Sequence, residues 1–330
     1  LQVREGGQWR RVGKEEGFPD GSAHALLQTH GPTGDLLWAG TSAGLGVLER
    51  GRWTFHLPPH WPQEDAVASL RAAPGSEVPP TLWLGCRFGG VWQYQRGIWT
   101  PFPIEEGRRG ARCSDLTITR GTDGRTWVWA AFLTRGLGRL EAGRTGARWR
   151  IWSANNLPGL PDTSFGTVLP DSQGHLYLGT INGLFKVALR ETPEGPEPQV
   201  LRAYGQADGL PSEALTNRGM FLDPQGRIWI GTASGLAVLD PALDAQDPAP
   251  PSPILDQLEF PSGTRPAIQG LRIGHREKRF AVEFLLPLYH RREEALFRTQ
   301  LEGFESQPGT WRPEASREFT GLPAGRYRLL

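Results

Sequence analysis

Few residues in this chain have types and spacing that could do chemistry. Gly40-Thr41-Ser42-Ala43-Gly44 reads as Gly-x-Ser-x-Gly, the nucleophile pattern of serine hydrolases. That pattern works only on a strained strand-to-helix elbow, and no helical periodicity follows it here. The slot recurs as Gly231-Thr232-Ala233-Ser234-Gly235, which makes it a repeated hairpin and not a nucleophile. The seven histidines stand at His24, His30, His56, His60, His175, His275 and His290. No pair has metal-ligand spacing with a carboxylate on a common strand, so no metal or other cofactor is expected. Asp171-Ser172-Gln173-Gly174 and Asp223-Pro224-Gln225-Gly226 lack the alternating oxygen ligands of a calcium loop and read as turns.

These residues depend on a repeated element for their placement. A short apolar run ending in small residues occurs as Leu36–Thr41, Leu82–Cys86, Trp127–Ala131, Leu176–Thr180 and Ile228–Thr232. Its aromatic marks at 38, 83, 127, 177 and 229 are separated by 45, 44, 50 and 52 residues. Short strands at a period of roughly 40–50 residues predict an all-β fold, a β-propeller with one four-stranded blade per repeat. Each repeat begins with an apolar strand such as Leu116-Thr117-Ile118 and turns into the aromatic strand. A glycine hairpin at Gly44, Gly89, Gly136, Gly183 or Gly235 leads to a third strand, and then to an outer one such as Arg52–Phe55.

A propeller gathers its fourth-to-first-strand and second-to-third-strand loops at one mouth, a natural concavity for a ligand. His24, Trp61, Asp65, Arg87, Arg135, Asn182, Asn217 and Arg218 fall in those loops. Exposed Arg and Trp suit sugar-ring stacking and acidic groups, while the competing reading is that each only satisfies loop backbone. An enzyme would need two converging ionisable groups with separated pKa values, and His24, His60 and Asp65 offer no convincing pair. Three readings stay open: a non-catalytic sensor of a small ligand, an oligosaccharide fragment among the candidates; a lyase or glycan-active enzyme; and a protein-interaction scaffold.

Bulk properties narrow the partners. The 330 residues carry 36 basic and 35 acidic side chains, a net charge of +1, which leaves no electrostatic footprint for nucleic acid or an anionic membrane. The 43 glycines and 29 prolines fit many turns. No run approaches the ~18 apolar residues of a membrane span, and no signal peptide is present. Cys86 and Cys113 fall at the same end of adjacent repeats, where a bridge is conceivable, although unbonded buried cysteine is the commoner state.

Leu1–Arg10 aligns with Leu45–Thr54, so the chain opens at the third strand of a partial blade. Either these strands close the ring against the last repeat, whose fourth strand is hard to find after Pro241, or the chain is a piece of a longer protein; the second is favoured. Residues 1–240 form the propeller. The five prolines of Asp240–Pro253 mark 241–253 as a semi-rigid linker, and 254–330 holds strand-like runs without the blade period, a small β-sandwich.

The repeats resemble the two-component-regulator propeller repeat, Leu-Trp-Ile-Gly-Thr followed after two or three residues by Gly-Leu. The fit is closest in Ile228–Leu236 and Leu176–Leu184, preceded by Asp208-Gly209-Leu210-Pro211-Ser212 and Asn156-Leu157-Pro158. Cys86-Arg87-Phe88 and Phe132-Leu133-Thr134 depart from it. The tail resembles the Ig-like domain named for three tyrosines, on Phe280 to Phe284, Tyr289, Phe297, Leu301-Glu302-Gly303-Phe304, Trp311 and Leu322-Pro323-Ala324-Gly325-Arg326-Tyr327. Together the resemblances imply the periplasmic, ligand-sensing part of a bacterial membrane receptor. Its output would be a histidine kinase, hybrid kinase or cyclase beyond a membrane span that this chain lacks, and a second copy would pair through the Ig-like domain.

Overall fold

The computed structural model describes residues 1–330 except 20, 32–33, 59–60, 62–64, 76–79, 105–110, 162–163, 245–251, 275–276, 278 and 288–294. His60, His275, Tyr289, His290 and most of the proline-rich run lie outside the described residues. The chain divides into two compact units, Leu1–Asp244 and Ala245–Leu330.

The first unit is all-β and built as blades. Blade I comprises Ala23–Gly31, Gly34–Thr41, Gly44–Glu49 and Arg52–His56; blade II comprises Val67–Ala72, Leu82–Cys86, Gly90–Gln95 and Ile98–Phe102. Blade III runs through Cys113–Arg120, Thr126–Phe132, Gly136–Glu141 and Arg150–Trp152, and blade IV through Phe165–Pro170, His175–Thr180, Gly183–Arg190 and Glu197–Tyr204. Each is an antiparallel meander in chain order. Blade V, Leu215–Leu222, Ile228–Thr232 and Gly235–Leu239, shows three strands among the described residues where four were expected.

Asp244 explains the path of the chain beyond the third strand of blade V. It accepts hydrogen bonds from Lys186 Nζ at 2.8 Å, Arg202 Nη1 at 3.2 Å and Tyr204 Oη at 2.7 Å, all on the outer strands of blade IV. Residues 241–244 are therefore anchored on the propeller, and the expected linker from 241 begins too early. Burial raises the Asp244 carboxyl, but the hydrogen bonds from Lys186 and Tyr204 outweigh it and hold the group below the usual range.

Alternation along the aromatic strands explains the packing. Successive side chains of a strand point to opposite faces, so each blade greases both neighbours. In blade II, Leu82 and Leu84 join Leu36, Trp38, Leu45 and Val47 of blade I, whereas Trp83 joins Leu116, Val128, Ala130 and Phe132 of blade III. Trp127 and Trp129 meet Phe165, Val168 and Leu178 of blade IV, and Tyr177 meets Ile228 and Ile230 of blade V. Trp83, Trp129 and Tyr177 are wholly buried. At about 150–250 Å² per aromatic ring and ~25 cal/mol per Å², each contributes roughly 4–6 kcal/mol of transfer energy. The N-terminal hairpin, Gln2–Glu5 with Gln8–Arg11, brings Val3, Val12 and Phe18 against Ala39 and Trp53 of blade I.

The second unit holds a four-stranded sheet in which Ile254–Phe260 lies between Gly263–Pro266 and Arg279–Leu285, with Ser316–Thr320 outermost. Leu301–Glu302, the start of one tail motif, pairs antiparallel with Arg328–Leu329, the two residues that follow the other. Leu258, Phe260, Phe280, Val282, Leu301 and Phe319 form its core.

Candidate functional site

The Thr of each Gly-Thr hairpin is a clip. Thr41, Thr180 and Thr232 each donate from Oγ1 to the carbonyl of Gly44, Gly183 or Gly235, at 2.9–3.0 Å, and accept from the backbone N–H of Ala43, Asn182 or Ser234. Ser42 therefore lies in a hairpin turn followed by a strand, with no nucleophile elbow. Blades II and III replace the clip by the buried Cys86 and Phe132. Both cysteines are unbonded and buried. Burial pushes both thiols well above their ordinary range.

Three of the expected mouth residues converge. His24 is the extra residue at the bulge opening blade I, between Ala23 and Ala25, and it is half-buried. Its pKa is lowered by burial first, then by the positive charges of Arg218 and Arg87. Arg218 belongs to a longer bulge in blade V, where the register slips between Leu215 and Met220. Its φ of +56° is a left-handed conformation that side chains other than glycine rarely adopt. From there Nη1 donates to the Ala68 carbonyl of blade II at 2.9 Å. The mouth thus draws groups from blades I, II and V.

Asp65 is buried, and its Oδ1 accepts from the backbone N–H of Ala66 at 2.7 Å and Phe88 at 2.8 Å. It fixes the blade II hairpin that carries Arg87. Its Oδ2 is buried without a partner among the described residues, directly beside Gly89, where an added Cβ would stand 2.5 Å away. Trp61 packs between blades I and II, and its indole N–H is also buried without a partner among the described residues. Asn217 sits over Gly166 of blade IV, where a Cβ would come within 2.6 Å of its Oδ1. Arg135 and Asn182 are exposed on the hairpins of blades III and IV.

Sequence reasoning missed two mouth residues. Phe88 lies between two guanidinium groups, Arg87 at 5.4 Å and Arg112 at 5.3 Å from its ring centroid. The departure of Cys86-Arg87-Phe88 from the repeat pattern was the signal that could have found them. The assembled site is an electropositive, aromatic surface, which can hold an anionic group and stack a ring but presents no carboxylate facing His24 among the contacts described. No group of three or more potential metal ligands occurs among the described residues.

Residues 209–234 match the family described as two component regulator propeller, so the chain carries such a repeat in blade V and its lead-in. A search of curated proteins gave no match. Among solved structures, the chain is similar to the extracellular domain of a hybrid two-component system from B. thetaiotaomicron, with a TM-score of 0.67 and 19% identity. The alignment covers 94% of this chain and 41% of that one, so the chain spans less than half of that domain. A second such domain from the same organism aligns at a TM-score of 0.44 and 15% identity, over 98% of this chain and 50% of that one. Virginiamycin B lyase from Staphylococcus aureus aligns at 0.45 and 13% identity, over 76% of each chain. The first of these likenesses shows the β-propeller fold. No helix among the described residues is long and apolar enough to cross a membrane.

Proposed function

We propose that this chain is the non-catalytic, periplasmic ligand-sensing region of a bacterial two-component-type receptor, with the ligand held at the propeller mouth. The observation that carries the reading is the convergence of His24, Arg87 and Arg218 from blades I, II and V, with Arg218 kept in a left-handed conformation to reach Ala68. A ligand bridging these groups contacts three blades at once and favours one arrangement of them, which is what sensing by population shift requires. Guanidinium groups flanking the Phe88 ring suit a ligand with an acidic group and a ring, such as an acidic oligosaccharide fragment. Residues 254–330 act as the Ig-like domain of three-tyrosine type, pairing with a second copy and passing occupancy to a kinase or cyclase across the membrane. The pairing of Leu301–Glu302, within the first signature motif, with Arg328–Leu329, directly after the second, supports that part.

Calorimetry and thermal shift against neutral and acidic oligosaccharides test the reading. A true ligand at a hundredfold excess over its Kd stabilises the fold by about 2.7 kcal/mol. An Arg87→Ala, Arg218→Gly double variant should weaken an acidic ligand by at least about tenfold. Binding should also tighten as pH falls toward the depressed His24 pKa, because the protonated ring then adds a charge. Stabilisation by no compound in the panel would sink the reading and leave a protein partner.

A further inference from the structure

A separate cavity of about 240 Å³ opens at the outer rim, on the side of blades III and IV. Its wall contains Arg139, Arg144, Arg148 and Arg150, together with Glu141 and Glu194. Among the lining residues four arginines stand against two carboxylates, or three when Glu197, which pairs with Arg150 at 2.7 Å, is counted. We propose that this rim cavity is a binding site for a small hydroxylated acid of about monosaccharide size. Guanidinium groups would hold its oxyanion, and the Glu141 and Glu194 carboxylates would accept from its hydroxyls. This goes beyond the mouth reading and does not depend on it.

The floor of the cavity is built, not incidental. Arg139 is 5% exposed and donates to the carbonyls of Pro196 at 2.6 Å and Glu194 at 2.7 Å, which ties blade III to the loop between the outer strands of blade IV. Its guanidinium lies 4.6 Å from the ring of Trp127 and 5.4 Å from that of Trp152. Arg125 lies 4.9 Å from Trp127, and Arg150 lies 5.2 Å from Trp152. Gly195 lets the loop close on Trp127, since a Cβ there would collide with the indole. These contacts fix one positive charge at the base, where exclusion of water strengthens its pull on an anion.

The rim is softer. Arg144 pairs with Glu141 at 3.3 Å and is 68% exposed, a pair that costs little to open for a ligand. A bare sulfate or phosphate would leave most of the space empty. The volume equals about eight waters at ~30 Å³ each and falls just below the ~300 Å³ where pockets for drug-sized ligands begin, which suits one sugar-sized acid.

The test is calorimetry on the whole chain with glucuronate, glucose 6-phosphate, glucose and inorganic sulfate. Glucuronate or glucose 6-phosphate should bind with an affinity that falls as salt rises, while glucose should not bind. An Arg144→Ala, Arg148→Ala double variant should weaken the acid by about tenfold or more, consistent with loss of charge-assisted hydrogen bonds. The mouth variant carrying Arg87→Ala and Arg218→Gly should leave this binding unchanged, which separates failure at one site from failure at the other. Absence of binding by both sugar acids overturns the proposal, as does binding that the rim variant leaves intact. Sulfate matching the sugar acids overturns the assignment of hydroxyl contacts to Glu141 and Glu194.

Discussion

Asp115 shows how much one buried side chain can hold. It is 3% exposed, on the first strand of blade III, between the first strands of blades II and IV. Oδ1 accepts from Ser69 Oγ at 2.7 Å, the Leu116 N–H at 2.9 Å and Arg71 Nη2 at 3.4 Å. Oδ2 accepts from Thr167 Oγ1 at 3.0 Å and the Val168 N–H at 3.2 Å. A buried carboxylate is costly unless its lone pairs are filled, and here they are, by donors from three blades. Removing it strands several donors. Asp115→Ala should therefore cost about 3–5 kcal/mol in urea unfolding, and Asp115→Asn, which points an N–H at other N–H and O–H donors, about 1–3 kcal/mol. A loss below about 0.5 kcal/mol for the alanine variant, the size of an ordinary surface substitution, would refute the network's role. The two cysteines behave oppositely: burial first, then nearby carboxylates, push their thiols up and keep them in the unreactive form. A thiol-specific reagent should label neither in the native protein and both in denaturant.

At the scale of elements, the sequence was most legible where a local rule repeats. The aromatic strands, their glycine hairpins and the turns at Asp171 and Asp223 stand where their spacing predicts. The turn Asp is a clamp: Asp223 Oδ1 accepts from the N–H groups of Gln225 and Arg227, and Oδ2 from Arg227 Nε and Trp229 Nε1. The lead-in was only partly legible. Gly17-Phe18-Pro19 does the same work as Gly209-Leu210-Pro211. In both, an acid three residues past a glycine takes that glycine's N–H, Glu16 from Gly13 and Asp208 from Gly205, and the apolar residue is buried. Phe in place of Leu hid the match. The Arg218 bulge and the Asp244 anchor were illegible, because both exist only through partners 150 and 40–58 residues away. Two outer hairpins also carry strain that sequence alone did not flag. Arg50 (φ +52°) and Arg96 (φ +48°) precede Gly51 and Gly97, which also have positive φ. Asn tolerates that conformation better than Arg, so Arg50→Asn and Arg96→Asn should each raise stability by about 0.5–1 kcal/mol. Unchanged or lowered denaturation midpoints for both would show the turns are not strained.

Across the propeller unit, burial is graded. The middle blades are closed on both faces, whereas Phe221, Leu236 and Val238 of blade V are 61%, 59% and 48% exposed. Stability of the whole should therefore concentrate in blades I–IV, and its pH dependence is set by the groups that the fold perturbs. His24 and His56 both have lowered pKa values, mainly through burial. The unfolded chain takes up these protons near pH 6.5, while the folded chain resists until lower pH, so the unfolded state binds more protons in between. Stability is then complete above about pH 6.5 and falls as pH drops through the folded values. A second loss comes from carboxylates held low. Burial raises Asp223, but hydrogen bonds from Trp229 and Arg227 outweigh it and bring the pKa to about 2. Its contribution persists above the ordinary carboxylate value near 3.8 and disappears as pH approaches 2. Urea midpoints measured from about pH 8 to pH 3 should show a plateau, a decline beginning near 6.5 and a steeper decline below about 4. A His24→Gln, His56→Gln variant should flatten the first decline and leave the second, and Asp223→Asn should leave the first and make the second shallower, with Asp244 still contributing to it. A profile for the double histidine variant that overlays the parent between about pH 7 and 5 would mean that neither imidazole is protected by the fold. It would also remove the basis for reading His24 as a partly buried group poised between two cations.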